Sequence, residues 1–387
     1  MTIPTNKLFN QKLPSQILLY LGLIVIGLII KLASLPVRTG DFVCYLEPWI
    51  NFIKTHGYAQ SFRYLFFDYT PSYIYLLIGI AKMGFNPLYS IKIVSICFEY
   101  ITAFYIGKIA KIQTSSNKEI WLALILVPLL PTVILNSSYL SQCDSIYTAF
   151  IVGSIYFALQ KRQIASVALL GIAFALKIQS AIILPFYFIL LLKGNIKWYI
   201  FLIIPLVYIL SILPAWMFGG NFLSLLTVYA SQSNQYQFLT LNFPNIYIWI
   251  NNDYYPTVKI IGVIFTAIFT LVNGIWLSKK THHISFERLV NLAFLSAIII
   301  PFILPGMHER YMYLGDVLGV LYFIVNRKNI HLPVGIQIVS LYSYIRCSRF
   351  NETLPMYPAF IIYLLVITYT VFDLISSLKK SNHEISQ

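Results

Sequence analysis

Apolar runs long enough to cross a bilayer recur from one end of this chain to the other, and they leave few folds open. A crossing helix takes ~20 mostly apolar residues, because lipid offers the backbone no hydrogen-bond partner. Candidate spans fall at 15–35, 88–110, 119–138, 144–160, 163–176, 181–192, 198–217, 257–277, 287–304, 311–325, 332–346 and 357–377. Only 10% of the 387 residues are charged, whereas ordinary soluble domains carry about 25%. The pattern predicts an all-α polytopic membrane protein, a single transmembrane domain over 1–387 with no separate soluble part.

The net charge of +14 does not point to nucleic acid, because Lys and Arg gather in short loops between apolar runs. The basic pairs are Lys161/Arg162, Lys193/Lys197, Lys279/Lys280, Arg327/Lys328 and Lys379/Lys380. With Met1 in the cytoplasm and sides alternating, every pair falls inside, as the positive-inside rule asks. Lys7 and Lys12 precede the first run with no small-residue cleavage site, which reads as a retained signal anchor in an inner membrane. The segment 70–83 is too short for a crossing and opens with Pro71, so a partly inserted or tilted helix is expected; Lys82 and Lys92 leave a cytoplasmic turn as the alternative. The run 163–192 is too long for one span and carries Lys177 and Gln179 in its middle, so two short helices meeting at KIQS are expected. The four cysteines form no CxxC pair, and neither a zinc site nor a disulfide framework is indicated.

This topology collects polar clusters outside. They are the first external loop, 36–69, with Asp41, Glu47, Asp68 and Tyr69; SQCDS at 141–145; the KIQS tip; and PGMHERYMY at 305–313. A long external loop, 218–256, adds Asn, Gln, Tyr and Trp but only one acid and no Lys or Arg, a surface suited to hydroxyl-rich ligands or the headgroup boundary. Asp41 follows the first span closely. As a favoured N-cap residue it has a capping role as a full alternative to that of a base. Asp144 opens a span, with capping, metal coordination or orienting an acceptor hydroxyl as its options. Lys177, a cation between apolar half-helices, suits a phosphate. In His308-Glu309-Arg310, the Arg fork fits phosphate and the His could donate to it or protonate a leaving group; a solvated anchoring loop is the plain alternative. A carboxylate that takes a hydroxyl proton, beside cations that stabilise a departing phosphate, is equipment for moving a sugar from a lipid-linked phosphate to a hydroxyl.

The order of an early Asp41, the entry DYTPSYIYLL, QCDSIY at a helix mouth, LLGIAFALKIQSAIILP and MHERYMY resembles the GT-C superfamily of membrane glycosyltransferases, which use polyprenyl-phosphate sugars. Within it the likeness is to bacterial relatives of the second GPI mannosyltransferase, over about residues 15–325. MHERY is also similar to the HKExRF and HEK motifs of lumenal mannosyl- and glucosyltransferases. The resemblance implies a bundle of about 11–13 transmembrane helices with external loop helices. It implies Asp41 as base, Asp144 as a second external acid, and inversion at the anomeric carbon. It implies substrate contacts from Glu47, Tyr69, Thr70, Gln142, Lys177, Gln179, His308, Glu309, Arg310 and Tyr311. The chain departs from the family in two ways. A single Asp41 stands where a paired acidic motif is usual, which leaves dependence on Mg or Mn open. Thr70 stands before the entry proline, where some relatives have a basic residue.

The expected activity is transfer of a hexose, mannose being one option, from a polyprenyl-phosphate donor to a glycan, lipid or protein hydroxyl. The enzyme would be monomeric, with its site on the external face. Two rivals are a flippase or transporter of lipid-linked sugars and an O-antigen polymerase or ligase. The first needs polar residues on both faces of a central path. The second typically relies on arginines in a large external loop, and loop 218–256 has none.

Overall fold

The structure, a computed structural model, describes residues 15–64, 66–280, 284–327, 329–348 and 353–385. Lys7, Lys12 and Lys328 lie outside the described residues. Among those described, five helices are long and apolar enough to cross a membrane: Pro87–Thr114, Trp198–Met217, Asn252–Lys280, Phe286–Ile303 and Tyr357–Leu378. Lys118–Leu129 and Pro131–Tyr139 make a sixth if taken as one span bent by 57°. The bend has a covalent cause. Pro128 lies inside the first helix, Pro131 starts the second, and Leu130 between them is extended, as a residue before proline prefers. Shorter apolar helices, including Ser15–Ala33, Asp144–Leu159, Gln163–Leu176 and Tyr313–Asn326, complete the bundle. This is the all-α, multi-pass architecture the apolar runs predict.

The interruptions in those runs carry the polar residues. Asp41 precedes a π-helical turn, Phe42–Leu46, and a second π-helical turn spans Ile134–Tyr139. The long run breaks at Lys177, whose backbone is extended between the helix Gln163–Leu176 and a 3₁₀ turn at Ile178–Ile183. Polar backbone at such a break is tolerated only where protein or water covers it.

The segment after Thr70 is a helix, Pro71–Met83, and both its ends stand at the end of the bundle that carries Asp41. Thr70 Oγ1 donates to the Leu176 carbonyl at 3.2 Å, next to Lys177. After the helix, Asn86 to Tyr89 flank a small cavity with Arg38, Phe42 and Glu47. Lys92 is fully buried, and its ammonium donates to the Ser34, Leu35 and Val37 carbonyls at 3.0, 3.2 and 2.7 Å. It closes the end of the first helix, as a lysine at a C-terminus does, and marks no turn at the opposite end. Among the described residues two large hydrophobic cores result, beside a small third one at Leu239, Tyr247 and Tyr255. One gathers Phe42, Trp49, Tyr73 and Ile146, and the other runs from Ala103 through Tyr187 and Phe294 to Tyr363.

Candidate functional site

A cavity of about 260 Å³ opens where the two cores meet. Asp41, Tyr69, Gln142, Lys177, Gln179, His308, Glu309, Arg310 and Tyr311 all line it, drawn from positions up to 270 residues apart. Asp41 stands at the N-cap position of its π-helical turn, yet its side chain makes no capping hydrogen bond. Its carboxylate instead accepts from Gln142 Nε2 and lies 3.9 Å from Arg310 Nη1, with 42% of the side chain exposed. The capping reading of Asp41 therefore does not hold.

Asn136, on the second π-helical turn, braces two walls of the cavity at once. Its carbonyl accepts the Gln142 backbone N–H at 2.9 Å, which fixes the residue that holds Asp41. Its Nδ2 donates to Asp144 Oδ2 at 2.8 Å and to Tyr344 at 2.9 Å. Asp144 in turn pairs with Lys177 Nζ at 2.5 Å, both side chains almost wholly buried. Asp144 thus sits behind Lys177 and does not face the cavity, so its expected part as a second external acid gives way to that of an anchor. The acid that was not apparent near Lys177 in sequence is 33 residues upstream. The ammonium also stands 5.7 Å from the Tyr69 ring and 5.9 Å from the Tyr147 ring.

The His308–Tyr311 loop follows a turn at Gly306, whose φ of +76° suits glycine. A two-residue parallel strand pair ties it to the long loop, Thr240 opposite Met307 and Leu241 opposite His308. Glu309 Oε1 accepts from Arg310 Nη1 at 3.0 Å, which leaves the buried Arg310 Nε without a partner. The His308 imidazole is pushed down to about 3 by burial and by the positive charges of Arg310 and Lys177. It is therefore neutral at physiological pH: it keeps one ring N–H, which can donate to a phosphate oxygen, and lacks the imidazolium proton that protonating a leaving group would use.

Two further expectations are corrected. Glu47 faces away from the cavity and pairs with Arg38 at 2.5 Å on an exposed flank. Thr70 is buried, donates its hydroxyl to the Leu176 carbonyl beside the Lys177 break, and does not line the cavity. Conversely, Trp49, Asp68, Gln232, Gln235, Tyr236, Asn242 and Cys347 line the cavity without having been singled out. The composition of loop 218–256 signalled part of this, though not which residues. Cys347 gave no signal at all.

Among the described residues no group of three His, Cys, Asp or Glu side chains converges on a metal-sized site. Comparison of the chain with protein-family models and with curated proteins gives no match.

Proposed function

We propose that the chain is an inverting membrane glycosyltransferase of the GT-C type, a bundle of about 11–13 crossings with its site on the external face of the inner membrane. It would move a hexose from a polyprenyl-phosphate donor to a hydroxyl acceptor. One observation carries the reading: Asp41 offers a half-open carboxylate, aimed by Gln142, at the mouth of a cavity that also holds Arg310 and Lys177. The acceptor O–H gives its proton to Asp41 as its oxygen bonds to the anomeric carbon. The bond from that carbon to the phosphate oxygen breaks on the opposite face, and its electron pair leaves with the phosphate. Arg310, with an N–H to spare, takes up the developing negative charge. Asp41, Asp68 and Glu309 outnumber Lys177 and Arg310 in the lining, an excess that favours positive charge growing on the sugar ring.

A second reading, transport of a lipid-linked sugar, draws on the buried Lys31–Glu99 pair at 2.6 Å. That pair is enclosed by the first helix and the Ile134–Tyr139 turn, away from the cavity lining, which favours the enzyme. The deciding experiment is reconstitution of the purified chain with a panel of radiolabelled polyprenyl-phosphate monosaccharides. Transfer by the parent and a loss of about 10²–10⁴ in rate for Asp41→Asn is the expected result. A fully active Asp41→Asn protein would remove Asp41 as the base.

A further inference from the structure

The cavity's unpartnered polar atoms are of two kinds. Near Asp41 the spare atom is a donor, Arg310 Nε. Elsewhere in the lining, apart from the Ser141 hydroxyl, which can both give and accept, they are acceptors: Gln179 Oε1, Gln232 Oε1 and Asp68 Oδ1, each buried without a hydrogen-bond partner. A buried acceptor with no donor costs about 1–3 kcal/mol, more for a charged group, so each calls for an O–H or N–H from a ligand.

These acceptors are held in place by their other ends. Gln235 Nε2 donates to Asp68 Oδ2 at 2.5 Å, which leaves Oδ1 as the free oxygen. Gln179, only 7% exposed, also interacts with the Tyr311 hydroxyl, and its Oε1 stays unmet. The rest of the wall is aromatic. Tyr45 and Tyr236 share a hydrogen bond at 2.8 Å, and Trp49 packs edge-on to Tyr69 at 5.6 Å. No cation is bonded to Asp68 among the described residues, whereas Arg310 and Lys177 already face Glu309 and Asp144.

From this we infer that Gln179, Gln232 and Asp68 form a subsite that reads the hydroxyls of an uncharged sugar residue and rejects uronic acids. The inference rests on the glycosyltransferase reading for its place in a reaction, but not for the binding itself. Clustered O–H donors on a compact ring can satisfy three acceptors that line one cavity. A carboxylate in the same place would bring another negative charge to Asp68, whose own carboxylate is held by the neutral Gln235 amide and not by a cation.

The test uses the full chain in lipid nanodiscs and needs no donor lipid. Thermal unfolding is followed in mannose, glucose or galactose, and in glucuronate. Sugars stabilise proteins generally by exclusion, so the quantity read is the difference between the parent and Gln232→Leu in the same sugar. Gln232 is half-exposed, so its substitution is compatible with folding; Gln179→Leu serves as the second variant. At least one neutral sugar should raise the parent's midpoint above that of both variants, and glucuronate should raise all three alike. Equal responses of parent and variants in every neutral sugar overturn the subsite. A glucuronate-specific gain in the parent overturns its selectivity. Asp41→Asn should keep the sugar-dependent shift. A shift without any transfer in reconstitution would therefore sink the glycosyltransferase reading and leave the subsite standing.

Discussion

At the residue scale the buried Asp144–Lys177 pair makes the sharpest demand. Removing one partner strands a charge in the interior, at a cost of about 3–5 kcal/mol, whereas removing both can be close to neutral. Lys177→Met should lower the unfolding temperature markedly, and Asp144→Asn with Lys177→Met should recover most of the loss. Transfer should stay abolished in both, because the cavity has lost its ammonium; a double variant no more stable than the single would place the pair outside the fold's energetics. His308 allows a pH test. Its folded value of about 3 lies below the ordinary 6.5, so the unfolded state takes up the extra proton. This residue's contribution to stability is therefore intact above about 6.5 and is lost as pH falls toward 3. His308→Gln should flatten the acid limb of a stability-against-pH curve and add no ionisation near neutrality to the rate profile.

The placement of single residues at the cavity was legible where an ionisable group interrupts an apolar run, as at Asp41, Lys177 and Arg310. What a side chain faces was not. Asp144 and Gln142 are two residues apart, and one turns inward to Lys177 while the other turns to Asp41. Glu47 and Asp68 share the segment 36–69, yet Arg38 draws the former onto the flank and Gln235, from a distant loop, holds the latter in the cavity. Those outcomes depend on partners far away in sequence.

At the scale of elements, the breaks were easier to read than the pairings. Lys177 and the Pro128–Pro131 step fall where composition places them, but which helices lie together follows from small residues. A Cβ on Gly107 would lie 2.4 Å from Ile120 Cα, so the helices Pro87–Thr114 and Lys118–Leu129 meet backbone to backbone. Small residues allow such close approach in membranes. Gly107→Ala should destabilise by about 1–3 kcal/mol through overpacking, seen as a lower unfolding temperature in detergent. An unchanged midpoint would mean that the two helices can part without loss.

For the whole molecule, the arrangement fixes which positions share a side. Starting from a cysteine-free variant, Asn86→Cys and Tyr236→Cys should both react with an impermeant thiol reagent added to intact cells. Lys280→Cys should react only after permeabilisation. Labelling of positions 86 and 236 from opposite sides would mean that the Pro71–Met83 helix crosses the membrane and that the cavity as described cannot form.

The cavity's walls also set a timetable for biosynthesis. Asp41 enters early, Lys177 midway, the strand pair joins Thr240 to Met307, and Cys347 completes the lining near the C-terminal end of its helix. A ribosome that has delivered the first three hundred residues has inserted many of the apolar helices but not yet the loop that carries His308 and Arg310. Until then Asp41 and Lys177 face a half-built vestibule, and any message cut short before the Cys347 helix yields a protein that sits in the bilayer and has no closed site.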